Sequence, residues 1–254
     1  MSQKEGFQIL VNELNTWTET NKIAEIWWRD DDLKTSTKEL DYLLSAANDI
    51  KLVPLLAVVP AKASRQLINT LHGCNVRIAM HGFQHQNHET LPNKKSEFGD
   101  SRLIEHQKID LKNGIKQLDD LFEKLFLKCF VPPWNRANDE VIRCLPGIGI
   151  SGISTFAPRK KASPVPGLTQ VNTHIDVIDW KGTRKFIGAE FMATQIAFHL
   201  KKMRANLVDN LEPMGILSHH LEMSDKDWQD FRKVCLFLKA NPSIKLNDPI
   251  NYFG

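Results

Sequence analysis

Several signatures are missing from this 254-residue sequence, and each absence removes a class of protein. No uninterrupted apolar stretch is long enough to span a bilayer. The opening Met1–Phe7 has no apolar h-region, so no secretory signal is expected and a cytoplasmic location is. Cysteine is sparse. Cys74, Cys129, Cys144 and Cys235 are scattered without a Cys-x-x-Cys pair, which points to buried free thiols and away from a disulfide framework. Neither sign of charge dominates: 33 Lys and Arg against 30 Asp and Glu leave a formal +3, too balanced to indicate nucleic acid or a membrane as partner. No Gly-x-Gly-x-x-Gly follows the first apolar run, so a dinucleotide site is unsupported. Repeats, low-complexity tracts and dividing linkers are also absent, and 42% apolar content is ordinary for a protein with a real core. One domain covering residues 1–254 is expected.

What is present is a regular alternation of short apolar runs and helical periodicities. Phe7, Leu10, Val11, Leu14 and Trp17 recur at helical spacing. Ile23–Trp28 reads as a first strand, followed by a helix through Leu40, Leu43, Leu44 and Ala47 with Ser36 or Thr37 as N-cap. Leu52–Val59 is nearly continuous apolar sequence, as expected of a strand buried on both faces in a parallel sheet. Further strands are expected at Val76–Met80, Cys129–Val131, Ile148–Ser154, Leu168–Ile175, Met214–Leu217 and Ile244–Leu246. Helices are expected near Ser64–Leu71, Ser101–Lys128, Asp139–Leu145, Glu190–Val208 and Asp225–Lys239. Such alternation implies right-handed βαβ units and, at this length, an α/β fold related to the (β/α)8 barrel; an open doubly wound sheet is the alternative.

Chemistry-bearing residues cluster just after the expected strands. Asp30, Asp31 and Asp32 follow Trp27-Trp28-Arg29, and adjacent carboxylates repel unless a cation or shared proton relieves them. His81 and His85 follow the strand ending at Met80; at that spacing, with Asp32, they make a three-ligand site for zinc that leaves a fourth position for water. Pro132-Pro133-Trp134-Asn135-Arg136 follows Val131, where prolines stiffen the backbone and Trp134 offers an apolar wall for a sugar ring. Asp176-Val177-Ile178-Asp179-Trp180 supplies a carboxylate suited to orienting a histidine. Leu217-Ser218-His219-His220 brings a strand straight into two histidines, one of them suited to general acid work. Each cluster taken singly also fits a plain structural role, but all gather at the carboxyl-end face of a parallel barrel, where such folds carry their sites.

In this order the motifs resemble the polysaccharide deacetylases of the NodB-homology type, carbohydrate esterase family 4, from about Trp28 to His220. The resemblance implies a distorted (β/α)7–8 barrel and a metal-dependent deacetylase acting on the N-acetyl group of an amino sugar or polysaccharide. It implies Asp31 as base and Asp32, His81 and His85 as ligands of one divalent metal, zinc first and other transition metals next. His219 is then the acid, Asp179 its support, Leu217 the lining of an acyl pocket, and Trp134, Trp180 and Arg136 substrate contacts. Second choices for these roles are Asp30, His220, Asp176 and Arg29. Two positions depart from the family pattern: Val131 stands where the third motif begins with Arg, and Leu33 where the first motif ends in Gly. Arg29 and Arg136 are the candidate replacement cations. The alternatives are a non-catalytic carbohydrate-binding relative, or a deacetylase of a small cytoplasmic amide or precursor sugar. In either enzyme reading the partner is a small molecule or acetylated sugar.

Overall fold

The computed structural model describes residues 5–254, so most of the opening segment read for a signal, Met1–Lys4, lies outside the described residues. The helices are α1 (Gly6–Glu19), α2 (Lys38–Ile50), α3 (Arg65–Leu71), α4 (Ile104–Phe122), α5 (Asp139–Cys144), α6 (Ala189–Arg204), α7 (Asp225–Lys239) and α8 (Ile250–Phe253). The strands are β1 (Ala24–Leu33), β2 (Pro54–Val58), β3 (Arg77–His81), β4 (Phe126–Val131), β5 (Gly152–Ile153), β6 (Thr169–Gln170), β7 (Ile175–Asp176), β8 (Met214–Ser218) and β9 (Ile244–Leu246). β1 with β8 and β9, β2 with β3, β3 with β4, β4 with β5, β5 with β6, and β7 with β8 all pair parallel, as the apolar runs predict.

The chain forms two compact units, each built from separate segments. The first takes the segment ending at Asp30, Thr37–Pro54 and Thr173–Asp248. Here β1 lies between β8, in register from Ile26↔Met214 to Asp30↔Ser218, and β9, from Ala24↔Ile244. Leu10, Leu14 and Trp17 of α1 are buried, as their spacing requires. The fully buried Trp28 packs against Trp228 and Phe231 of α7, with ring centroids 5.8 and 5.0 Å away. Thr37 caps α2 by accepting from the Leu40 N–H at 3.1 Å, and Ser224 with Asp227 forms a reciprocal capping box on α7.

The second unit takes Asp31–Ser36, Leu55–Asn172 and Pro249–Gly254. Its strands run in the order β2-β3-β4-β5-β6, and the Val59 N–H donates to the Leu33 carbonyl at the end of β1. All five residues of β2 are buried. Gly114 lets α4 approach closely, since a Cβ there would meet Met80 Sδ at 2.8 Å. That contact explains a glycine inside a long helix. All four cysteines are free thiols; Cys129 and Cys235 are buried.

Three expectations are corrected. The Asp30–Asp32 carboxylates do not follow β1 but form part of it, because the strand continues through Leu33. The helix expected to run to Lys128 ends at Phe122, and Phe126–Val131 pairs with β3 instead. Its apolar run, interrupted only by the half-buried Lys128, suits a strand as well as it suits a helix. The strand expected over Leu168–Ile175 is two short strands, β6 paired with β5 and β7 paired with β8. The break falls where Asn172 turns its amide to Thr155 and Ala157. Helix α8 was not anticipated; at four residues it carries too little periodicity to be read.

Candidate active site

In the second unit the end of β1, the end of β3 and the loop after β3 bring Asp32, His81 and His85 together. Asp32 Oδ1 lies 3.1 Å from His85 Nε2 and 3.5 Å from His81 Nε2. One ligand atom from each residue lies within 4.8 Å of the other two. Two of these residues hold left-handed backbone, Asp32 at φ 70° and His85 at φ 57°. Such conformations cost non-glycine residues roughly 1–3 kcal/mol each and concentrate at functional sites. In a regular strand neighbouring side chains point to opposite faces. At Asp32 the backbone leaves the extended region, and the charges of both Asp31 and Asp32 raise the His81 pKa.

The donor chemistry fits a cation. His81 Nδ1 lies 3.0 Å from the Val131 carbonyl oxygen. A carbonyl only accepts, so Nδ1 carries the proton and the neutral ring turns its Nε2 lone pair toward Asp32. A lone pair facing a carboxylate repels it unless a proton or a metal ion lies between them. Burial pulls the His81 pKa down, but the Asp31 charge and the hydrogen bond and charge of Asp32 outweigh it and hold the ring above its ordinary value. His85 is pushed down to about 4, by burial first and by His81 second. The cluster therefore favours one positive charge among its ligand atoms. Two imidazole nitrogens and one carboxylate oxygen are a donor set that suits zinc and other divalent transition ions, with a tetrahedral position left over.

Around the triad, the Trp134 ring packs on His85 with centroids 4.5 Å apart. Trp134 and Asn135 are both left-handed, at φ 54° and 57°, directly after Pro132-Pro133. Arg136 is exposed and its Nη1 donates to the Lys95 carbonyl at 3.0 Å. Asp31 is 2% exposed. The residue that sequence reasoning passed over is Glu97. Its carboxylate is 1% exposed and accepts the backbone N–H groups of Phe83, Gln84 and His85. Burial raises its pKa, and the three amide bonds oppose that rise. The one available signal was Phe98, an apolar residue beside it in a mostly polar segment, Asn93–Asp100.

The first unit holds the remaining candidates. Asp30 and His220 are buried and bonded: His220 Nδ1 lies 2.5 Å from Asp30 Oδ1, and Ser218 Oγ donates to Asp30 Oδ2 at 2.6 Å. Trp28 Nε1 donates to the Ser218 hydroxyl at 2.8 Å, completing a buried polar chain. His219 lies edge-on to Trp180, centroids 4.7 Å apart. Asp176 Oδ2 accepts from Trp180 Nε1 at 2.9 Å, and Asp176 Oδ1 from the Ile178 N–H at 3.0 Å. Asp179, which the resemblance assigns to steady His219, is taken up by its own turn. It accepts the N–H groups of Gly182 and Thr183 at 3.0 and 2.9 Å. Those bonds, the Thr183 amide first, hold its pKa below the usual carboxylate value. The buried Nδ1 of His219 has no hydrogen-bond partner among the described residues. The short polar turn that holds Asp179 thus satisfies its own carboxylate. Leu217 and Arg29 are fully buried.

No family model and no curated protein matches this chain. Solved structures do match. A Mycobacterium smegmatis protein assigned to the polysaccharide deacetylases superimposes with a TM-score of 0.64 at 15% identity, over 91% of this chain and 88% of that one. A family 4 acetyl xylan esterase from Clostridium thermocellum, in complex with a cobalt ion, gives a TM-score of 0.52 at 12% identity over 87% and 86%. A CE4 family pseudoenzyme from Bacillus anthracis gives 0.54 at 12% identity, over 86% of this chain and 62% of that one. With parallel strands, surrounding helices and these matches along most of its length, the chain has the distorted (β/α)7–8 fold of the NodB-type, carbohydrate esterase family 4 polysaccharide deacetylases.

Proposed function

We propose that the protein is a metal-dependent deacetylase that hydrolyses the N-acetyl group of an amino sugar or polysaccharide. The observation that carries this reading is the Asp32, His81 and His85 cluster beside the buried Asp31. A divalent cation held by those three residues, zinc first, supplies Lewis acidity and an activated water. In this reading Asp31 accepts a proton from the attacking water as its oxygen bonds to the acetyl carbon. The C–N bond then breaks, and His219 delivers a proton to the departing amine, so the products are acetate and a free amino group. Trp134 offers an aromatic face to the sugar ring, Leu217 lines the acyl pocket, and Trp180 sets the attitude of His219. The bonds of Asp176 to Trp180 favour Asp176 over Asp179 as the carboxylate behind that arrangement. Arg29, fully buried two residues before Asp31 on β1, is favoured over the exposed Arg136 as the cation near the base.

Val131 in place of the family's third-motif arginine, and the match to a pseudoenzyme, favour a second reading: a non-catalytic carbohydrate-binding protein. The discriminating experiment is acetate release from N-acetylated oligosaccharides and monosaccharide derivatives by zinc- or cobalt-loaded protein, with Asp31→Asn as control. Release that the substitution abolishes supports the deacetylase. Release from monosaccharides alone narrows the substrate to a precursor sugar or small amide. Sugar binding without release under either metal overturns the enzyme in favour of the binding protein.

A further inference from the structure

We infer that Glu97 is the positioning residue that shapes the loop presenting His85, and so sets the affinity of the Asp32, His81 and His85 cluster for a divalent metal. The inference rests on the reading of that cluster as a metal site. Its own basis is a convergence of backbone. Glu97 Oε1 accepts from the Gln84 N–H at 2.7 Å, and Oε2 accepts from the Phe83 and His85 N–H groups at 3.1 and 3.2 Å. Three successive amides aimed at one point form a concavity for an anion. In this protein the anion is a side chain from elsewhere in the same loop.

The carboxylate is itself fixed from both sides. The Ser96 N–H donates to Asn87 Oδ1 at 2.9 Å, and the Ser96 hydroxyl donates to the Arg136 carbonyl at 3.2 Å. Phe98 is fully buried and packs edge-on against Phe130 of β4 at 5.3 Å. The Phe98 carbonyl accepts from the Asn138 N–H at 2.8 Å. Glu97 thus stands on a segment tied to β4 and to the start of α5, and transmits that rigidity to residues 83–85.

The sequence between the two histidines is adapted to this clamp. Gly82 is left-handed at φ 61°, and a Cβ there would lie 2.0 Å from Glu97 Oε2 and 2.5 Å from Pro133 Cγ. Only glycine leaves room for the carboxylate beneath the loop. The clamp also holds His85 at φ 57°, a conformation that histidine does not adopt cheaply. Without Glu97 three amides lose their acceptor and His85 is released from the backbone angle that aims its Nε2 at Asp32. The residue acts through the loop and does not reach the ligand atoms, so its effect belongs to metal affinity. Substitutions of groups that support metal ligands commonly weaken binding about 10- to 100-fold.

The test uses the full chain with zinc alone as probe. Glu97→Gln is nearly isosteric but places an amide NH2 against one set of backbone donors; Gly82→Ala attacks the same contact from the opposite side. Glu89→Gln is the control, because Glu89 staples the outer part of the loop through Asn93 and Ser101. Zinc affinity is measured by competition with a chelator, and amide hydrogen exchange of residues 83–85 is measured on metal-free protein. The expected result is faster exchange at those three amides and zinc binding about 10- to 100-fold weaker in Glu97→Gln and Gly82→Ala, with Glu89→Gln like wild type. Unchanged exchange, or wild-type zinc affinity in Glu97→Gln, overturns the inference while leaving the metal cluster standing. A wild-type chain that takes up no zinc instead overturns the cluster reading, and the role of Glu97 in metal affinity falls with it.

Discussion

Asp30 and Asp32 stand two residues apart on one strand and live in opposite surroundings. In the first unit Asp30 is wholly buried and its two oxygens are met by the Ser218 hydroxyl and the His220 ring. Trp28 in turn donates to Ser218. In the second unit Asp32 is half-buried, sits on left-handed backbone and faces two imidazole Nε2 atoms. One carboxylate is saturated by donors and extends the core. The other is set against ring nitrogens, one of which has its proton committed elsewhere, to a backbone carbonyl. Residue type alone does not separate a structural Asp–His pair from a ligand set. The separation comes from what the far side of each histidine bonds and from how much strain the backbone carries.

The largest effect is expected at the ligand set. Asp32→Ala and His81→Ala should each abolish tight zinc binding and acetate release while leaving the fold intact; elemental analysis beside the circular dichroism spectrum checks this. Retained stoichiometric metal in Asp32→Ala would erase the contrast between the two aspartates. The converse substitution, Asp30→Ala, should leave zinc stoichiometry alone and destabilise the protein by about 3–5 kcal/mol, because it strands a buried histidine and a serine without their acceptor. Urea unfolding reads that loss, and a change under about 1 kcal/mol would show that the buried polar chain contributes little to stability.

A smaller and graded effect follows from His199, whose ring stacks 4.3 Å from that of His174 in the first unit. Burial first, and the charges of His174 and Lys202 after it, push the His199 pKa down to about 3. An unfolded histidine takes up its proton below about 6.5, and the folded one only near the lowered value. Between those pH values the unfolded state binds more protons, so stability falls as pH drops, by about 1.4 kcal/mol per unit from this group. His199→Phe should flatten the acid limb of a stability-against-pH curve by about that slope, and an unaltered limb would refute the assignment. The smallest effect separates two carboxylates. Asp179→Asn should leave the unfolding midpoint and the pH profile of acetate release nearly unchanged, since its carboxylate bonds only within its own turn. Asp176→Asn should shift that profile through Trp180 and His219. The opposite pattern would return Asp179 to the role that motif spacing gives it.

Much of the site was legible because its residues lie at or just past the ends of strands whose apolar runs are hard to mistake. β2 lies within the run that announces it, β8 extends its run by one residue, and the spacing of His81 and His85 at the end of β3 pointed at the cluster that forms. The strand–helix alternation likewise led to a parallel sheet. Legibility failed where one local pattern supports two outcomes. Phe126–Val131 is apolar enough for either a helix or a strand, and pairing with β3 decides between them. Asp179 matched a motif, but its carboxylate closes a turn with Gly182 and Thr183 that no spacing rule announces.

By itself the sequence determined the parallel α/β character, the free thiols and the residue types able to hold a cation, because hydrophobic periodicity and composition are local properties. Which of three consecutive aspartates joins the core and which faces the histidines was decided only by tertiary structure. That choice depends on Ser218 and His220 meeting Asp30, and on His81 and His85 meeting Asp32, all far away along the chain. Glu97 makes the same point. One acid among several in a loop is not singled out until the backbone has folded three amides around it, because an anion-binding concavity exists only as a shape.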